Sequence, residues 1–403
     1  MKQLLFPDDV QFWFETLRVF GHASYGGSDF GEVLATAERI VPGDYDSWHD
    51  AWLATADRLA DDAATAHPVT ARDLHLRAST YYRSAEFFLH GDPADPRINH
   101  AYERSVACFH AAVTPEVQPV EIPYENTVLR GYFYPAPGPE PKPIVLMHNG
   151  FDGSAEEMHF FGATAGAARG YHVLTFDGPG QPSAIHRDGL PLRPDWEHVV
   201  GPVVDYVRTR PEVDASRIAL LGLSLGGMLA PRAAAFEPRI GAVIAIDGVY
   251  DAASAISMLV PGSREELLVR ANADEDPELD ALLAQGRKQN PTARWAADHG
   301  RYVLGVATDR EFVARYLHFH LRDGIAERID CPVLVCDAVN DLFFAGDEHT
   351  DSEAHQLFDH LTGPKTMLEF TEAEGADAHC HVGAQRLAVG RYYDWLDDHL
   401  QAR

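Results

Sequence analysis

The sequence predicts an α/β chain: a mostly parallel, doubly wound sheet of eight strands, preceded by a helical domain and interrupted by a helical insertion. Three observations carry this expectation. Residues 1–115 show helical spacing and no strand alternation. From Val117 onward, short apolar runs alternate with helical patterns. Between Asp251 and Arg328 that alternation stops, the chain reads as helices, and then strand signals resume. The expected organisation is therefore a helical domain over 1–115, a sheet domain over 116–250 and 326–403, and an insertion over 251–325.

In the first domain, Trp48, Trp52 and Leu59 fall at helical spacing, with Asp46 or Ser47 available as a cap. Leu74, Ala78, Tyr81, Ala85 and Phe88 form a second such stripe. Aromatic stripes of this kind are most often core. The loop from Gly21 to Phe30 differs, because turn glycines accompany His22, Tyr25 and Asp29, which are candidate substrate contacts. Strands are expected at Val120 to Tyr124, Leu129 to Tyr134, Ile144 to Met147, His172 to Phe176, Ile218 to Leu221, Ala242 to Ile246, Val333 to Cys336 and Thr366 to Phe370. A proline-rich linker, Pro135 to Pro143, separates the second from the third. Within the insertion, Arg264 to Ala271 and Pro277 to Gly286 read as helices. An insertion at this place suits a lid, with Phe312, Tyr316, Phe319 and His320 either facing a pocket or packing the lid on the body. A helix from about Ala384 to Leu400 is expected to close the domain.

Bulk properties narrow the partners. The 403 residues carry a formal net charge of −28, which repels nucleic acid and anionic membrane surfaces. A small-molecule substrate is the expectation that remains. Cys108, Cys331, Cys336 and Cys380 show no metal-ligand spacing and no disulfide framework, which fits a reducing compartment. Pro7-Asp8-Asp9 interrupts the apolar start before a signal-peptide core forms, and no apolar run approaches the length of a membrane span. The expected location is the cytoplasm.

Chemistry is expected at the carboxyl ends of the strands. The run Ile218 to Leu221 leads into Gly222-Leu223-Ser224-Leu225-Gly226, which fits G-x-S-x-G, a strand-turn-helix elbow that exposes a serine nucleophile. Ser224 is the candidate nucleophile, with Gly222 and Gly226 permitting the close turn. Such a serine needs two backbone donors for the oxyanion: the amide after the nucleophile, Leu225, and one in His148-Asn149-Gly150-Phe151-Asp152-Gly153, assigned to Phe151 with Gly150 as the alternative. The loop Asp177-Gly178-Pro179-Gly180-Gln181 looks like a phosphate loop, but no G-K-[ST] follows, so it reads as a structural turn.

A serine hydroxyl also needs a histidine base, and the histidine needs an acid. Asp341, beyond the strand Val333 to Cys336, is the expected acid, with Asp247 after Ala242 to Ile246 as competitor. The expected base lies in Gly375-Ala376-Asp377-Ala378-His379-Cys380-His381, where only one of the two histidines can meet Ser224. His-x-His alone is a weak metal signal, and no metal or other cofactor is expected.

With these stretches in place, the chain resembles α/β-hydrolases that carry a helical N-terminal domain, a set that includes 2,6-dihydroxypseudooxynicotine hydrolase and polyketide-shortening pigment hydrolases. The resemblance rests on His148 to Gly153, Asp177 to Gln181, Arg193-Pro194-Asp195-Trp196-Glu197, the Ser224 elbow and Ala378-His379-Cys380, and runs from about residue 45 to the end. It implies the α/β-hydrolase fold, carries the base onto His379, and implies hydrolysis of a carbon-carbon bond beside a ketone in an aromatic or polyketide-like substrate, by a homodimer. His381 departs from the pattern, which implies glutamine or another polar residue there, and is a further candidate substrate contact.

Overall fold

One sheet holds eight strands: β1 (Gln118–Tyr124), β2 (Thr127–Tyr134), β3 (Lys142–His148), β4 (His172–Phe176), β5 (Val213–Leu223), β6 (Ala242–Ile246), β7 (Val333–Ala338) and β8 (Lys365–Phe370). They appear in a computed structural model that describes residues 3–257, 260, 262–346 and 350–400. The spatial order is β1-β2-β4-β3-β5-β6-β7-β8. β2 runs antiparallel to β4, and every pairing from β4 through β3, β5, β6 and β7 to β8 is parallel. Parallel strands are covered on both faces, so they read as unbroken apolar runs rather than alternating ones. Ile144 to Met147, Ile218 to Leu221 and Ala242 to Ile246 are all buried accordingly. This is the α/β-hydrolase fold that the sequence leads one to expect.

The chain divides into two compact units. One comprises Pro119–Leu283 and Val303–Arg403, the other Lys2–Gln118 and Ala284–Tyr302. The insertion expected over 251–325 is therefore split. Its stretch 284–302 groups with the N-terminal helices, and the rest groups with the sheet. Aromatic packing accounts for the division: Trp295 stacks on Phe87 at 5.3 Å and 14°, and the Arg294 guanidinium lies 3.7 Å from the Tyr45 ring centroid. A helical pattern cannot reveal which core its apolar face will join.

The helical unit is built on the aromatic stripes. Phe12, Trp48 and Phe88 meet with centroids 4.6–5.0 Å apart, and the buried Trp48 indole donates to the Ser84 carbonyl at 2.8 Å. The helix bearing Trp48 starts earlier than expected, at Tyr45, with Asp44 as its cap accepting from the Asp46 and Ser47 amides. The Tyr45 ring stacks on Phe88 at 4.7 Å, which draws that extra residue into the helix.

All four cysteines are buried, and none is in a disulfide. No helix among the described residues is long and apolar enough to cross a membrane.

Candidate active site

Ser224 follows β5 and precedes the helix Gly226–Ala234. Its backbone is left-handed, with φ +62°, and its amide is held by the Ile246 carbonyl at 2.9 Å. Such a backbone costs a non-glycine residue about 1–3 kcal/mol and persists only where its surroundings enforce it. Two glycines let the turn close. A Cβ on Gly222 would come 2.0 Å from the Gly226 carbonyl oxygen, and one on Gly227 would come 2.1 Å from that of Asp247. Gly226, the other expected position, is tight to a lesser degree, a Cβ there coming 3.1 Å from the Asn149 carbonyl oxygen, while Gly227 approaches the end of β6.

His379 is buried, with Nε2 2.8 Å from Ser224 Oγ and Nδ1 2.7 Å from Asp341 Oδ2. The other Asp341 oxygen accepts the Phe343 and Phe344 amides at 2.6 and 3.0 Å, which fixes the carboxylate. The acid and base loops are tied together as well: Asn340 donates its amide to the Asp377 carbonyl at 2.9 Å and its side chain to the Asp377 carboxylate at 3.1 Å.

The competitor acid is also present. Asp247 Oδ2 lies 2.9 Å from the same Nδ1 of His379 and accepts the Cys380 amide. Sequence order had offered Asp341 and Asp247 as alternatives, and the structure brings both to one nitrogen. The available signal was their shared position just past neighbouring parallel strands. Burial is the largest influence on Asp247 and raises its carboxyl, but His379, His381 and the Cys380 amide outweigh it and hold the group at about 2. Burial likewise raises Asp341; His379 pulls it down, and the nearby Asp247 charge pushes it up, leaving it above the usual range. For His379 burial opposes protonation, yet Asp341, Cys380 and Asp247 together lift the imidazole well above its ordinary value.

His381 sits differently. Its ring is fully buried, stacks on Phe370 at 3.8 Å, and uses Nδ1 to donate to the Ala376 carbonyl at 3.1 Å. Burial, the dominant influence, lowers its pKa, so it is neutral at pH 7. The expectation of a substrate contact at His381 is corrected accordingly: the side chain packs behind Asp247, with Nε2 3.8 Å from Asp247 Oδ1. His22, Tyr25 and Asp29 belong to the helical unit. His22 is buried, Tyr25 ends the single turn Ala23–Tyr25, and the Asp29 carboxylate caps the helix Phe30–Ala37 by accepting the Gly31 amide at 3.0 Å.

Opposite the ionisable groups, the His148 to Gly153 loop lies on the elbow, such that a Cβ on Gly150 would be 2.6 Å from the Leu225 nitrogen. The Gly150 amide donates to the Asn149 side chain at 2.8 Å, so it is already engaged. The neighbouring Phe151 ring meets Tyr316 edge-on at 5.6 Å and Phe312 at 6.4 Å. Gln181 is the residue that sequence reasoning missed. It donates to the Asn149 carbonyl and, at 3.2 Å, to the Gly150 carbonyl, while its own oxygen accepts the Gly178 amide at 2.8 Å. Asp177, raised to about 7 by burial and the neighbouring Glu156, accepts the Ala155 and Ser183 amides. The Asp177 to Gln181 turn thus braces the loop beside the serine. The sequence marks the turn but not its partner, since the two segments are brought together by the β3–β4 pairing.

Among the described residues of the sheet unit, two groups of side chains could hold a cation: Asp247, His379 and Cys380, and Asp337, His355 and Glu369. In the first, burial pushes the Cys380 thiol far above its usual range, leaving a neutral and poor ligand.

The fold is that of the α/β hydrolases, and the candidate site lies at the carboxyl ends of its parallel strands. The chain belongs to the Alpha/beta hydrolase family, whose pattern matches residues 144–389; a second pattern, Esterase FrsA-like, matches residues 11–256. Among similar proteins, the hydrolase LUC6 of Fusarium sp is 36% identical over 98% of this chain and 97% of that protein. The 20-hydroxy-prefusarin hydrolase FUS2 of Gibberella moniliformis is 35% identical over 96% of each. A similar fold occurs in the crystal structure of 2,6-dihydroxy-pseudo-oxynicotine hydrolase, with TM-score 0.70 and 23% identity over 95% of this chain and 96% of that one.

Proposed function

We propose that this enzyme is a serine hydrolase cleaving a carbon-carbon bond next to a ketone in an aromatic or polyketide-like small molecule. The reading is carried by one observation: His379 bridges Ser224 Oγ at 2.8 Å and Asp341 at 2.7 Å through its two ring nitrogens. In the proposed reaction Ser224 Oγ attacks the carbonyl carbon and its proton passes to Nε2 of His379. Asp341 and Asp247 stabilise the imidazolium so formed. The Leu225 and Phe151 amides receive the oxyanion. Collapse of the tetrahedral adduct breaks the bond to the α-carbon, and the departing enolate takes the proton from His379, leaving an acyl-Ser224 ester. Water, deprotonated by the same imidazole, then releases the acid.

Two carboxylates on one imidazole suit this sequence. They favour removal of the serine proton, and the resulting imidazolium, though less acidic than usual, still protonates a carbon base as strong as an enolate. The names of the similar proteins support hydrolysis, and the fold shared with 2,6-dihydroxy-pseudo-oxynicotine hydrolase is consistent with the substrate class proposed. A second reading, carboxylester or thioester hydrolysis or acyl transfer with the same residues, is supported by the match to the esterase pattern. We take the working form as a homodimer, on the resemblance set out above, and its location as the cytoplasm, on the cysteine pattern that fits a reducing compartment.

Product analysis on a 1,3-diketone and the matching ester separates these readings. Acid plus ketone from the diketone supports carbon-carbon hydrolysis, and turnover of the ester alone selects the second reading. A fluorophosphonate that labels the native chain but not Ser224→Ala establishes an activated serine. Absence of labelling in both would instead identify a ligand-binding module on a hydrolase fold.

A further inference from the structure

The sheet unit holds a cavity of about 350 Å³ that none of Ser224, Asp247, Asp341 or His379 lines. Its walls are apolar, formed by Pro179, Leu190, Leu192 and Phe319. Backbone bonds hold those walls in place: the Gly180 amide donates to the Leu190 carbonyl at 2.7 Å, and the Leu192 amide to that of Val303 at 2.8 Å. The cavity is thus largely pre-formed, which spares a ligand the cost of ordering it.

Charge at the rim is unevenly compensated. Arg193 is fully engaged, with two nitrogens each 2.7 Å from Asp195, a third contact to Glu125 at 3.0 Å, and the Tyr124 hydroxyl at 2.9 Å. Glu125, the acidic side chain in the lining, is thereby neutralised. Arg315 and His318 also line the cavity, are exposed, and make no side-chain hydrogen bond or ion pair with any described residue. In a chain with 61 acidic side chains and 33 lysines and arginines, an arginine left without an acid at a cavity mouth stands out. Its guanidinium is a planar fork suited to a carboxylate.

We infer that this cavity binds an apolar carboxylate, aromatic or acyl, with its anionic group on Arg315 and His318 and its hydrocarbon part against Pro179, Leu190, Leu192 and Phe319. The site is separate from the one that carries catalysis. Phosphate or sulfate alone would leave the apolar walls unused, and a neutral hydrocarbon would leave the cations unpaired.

Calorimetric titration with 1-naphthoate and with its neutral counterpart 1-naphthamide tests the assignment. It is run on the native enzyme and on enzyme whose Ser224 has been capped by a fluorophosphonate, with capping verified by mass. That mass reports on the serine chemistry independently of the titration, so failure of one reading is distinguishable from failure of the other. One naphthoate should bind per chain, capped or not, roughly tenfold or more tightly than the amide, as expected for a charged hydrogen-bonded pair. Arg315→Gln should bring naphthoate down to the level of naphthamide with an unchanged melting temperature, and Leu192→Trp, which fills the cavity, should abolish binding of both. Equal affinity for acid and amide, no effect of Arg315→Gln, or loss of binding on capping Ser224 each overturns the inference.

Discussion

Ser224 is served by two sets of groups that differ in kind. One set is ionisable: His379, Asp341 and Asp247, all buried, with pKa values moved by burial and by one another. The other is made of fixed dipoles, the Leu225 amide and the loop His148 to Gly153, braced by the Gln181 carboxamide. In the proposed mechanism the first set moves protons, so its failures should appear as pH-dependent losses of turnover. The second only has to be in the right place, so its failures should be smaller and independent of pH. The backbone reflects the same contrast: Ser224, Asp247, Cys380 and His381 all adopt left-handed φ angles between 52° and 62°, concentrating strain on the ionisable side.

The strongest test of this contrast is His379→Ala. Removing the base of a serine enzyme costs on the order of 10⁵–10⁶ in kcat, and burst-phase acylation should vanish. If turnover fell only about tenfold, Ser224 would have to be activated by a group other than His379.

The two acids come next. Loss of a sole triad acid costs about 10⁴ in kcat. Because Asp247 stands 2.9 Å from the same nitrogen, Asp341→Asn should cost less, about 10², Asp247→Asn at most about tenfold, and the double variant about the full 10⁴, well beyond the product of the two. Simple additivity of two small effects would show that the carboxylates do not share the imidazole. A pH profile sharpens the point. Both carboxylates favour the protonated ring, so the acid limb of kcat/KM should lie above the ordinary histidine value in the native enzyme. Asp247→Asn removes one stabilising charge, lowers the His379 pKa, and should shift that limb to lower pH.

On the dipole side, Gln181→Ala releases the Asn149 and Gly150 carbonyls. We expect kcat to fall roughly tenfold to a hundredfold, as for a misplaced catalytic group, with the position of the acid limb unchanged. A shift of the limb would mean that the brace acts on His379 and that the two sets are not separate.

What could be read in advance follows the same division. Ser224, as the candidate nucleophile, and the succession of strands along the chain were legible because apolar runs and G-x-S-x-G are local patterns. Asp341 was legible as a candidate acid through its place beyond a strand end. The sharing of His379 between Asp341 and Asp247 was not, because it depends on β6 and β7 being neighbours and on the left-handed turn at Asp247. The turn ending at Gln181 was marked, but its partners were not legible for a similar reason: they are brought near by β3 pairing with β4. The helix Pro291–Leu304 shows the limit of periodicity, which marks an apolar face but not the core it joins.

The smallest effect on turnover is expected at His381, which makes it the sharpest probe of where the ionisable set ends. Its ring is neutral, stacked on Phe370, and bonded to the Ala376 carbonyl, and the distance from its Nε2 to Asp247 exceeds that of a hydrogen bond. His381→Phe keeps the stacking and leaves that buried carbonyl unpaired, a loss of about 1–3 kcal/mol in stability. The melting temperature should therefore drop, while kcat stays within about tenfold of the native value, since no proton passes through this ring. Burst-phase kinetics and thermal unfolding measured on the same preparation separate the two effects. Loss of the burst with an unchanged melting temperature would move His381 into the proton-transfer set, and the boundary drawn between the two histidines would have to be abandoned.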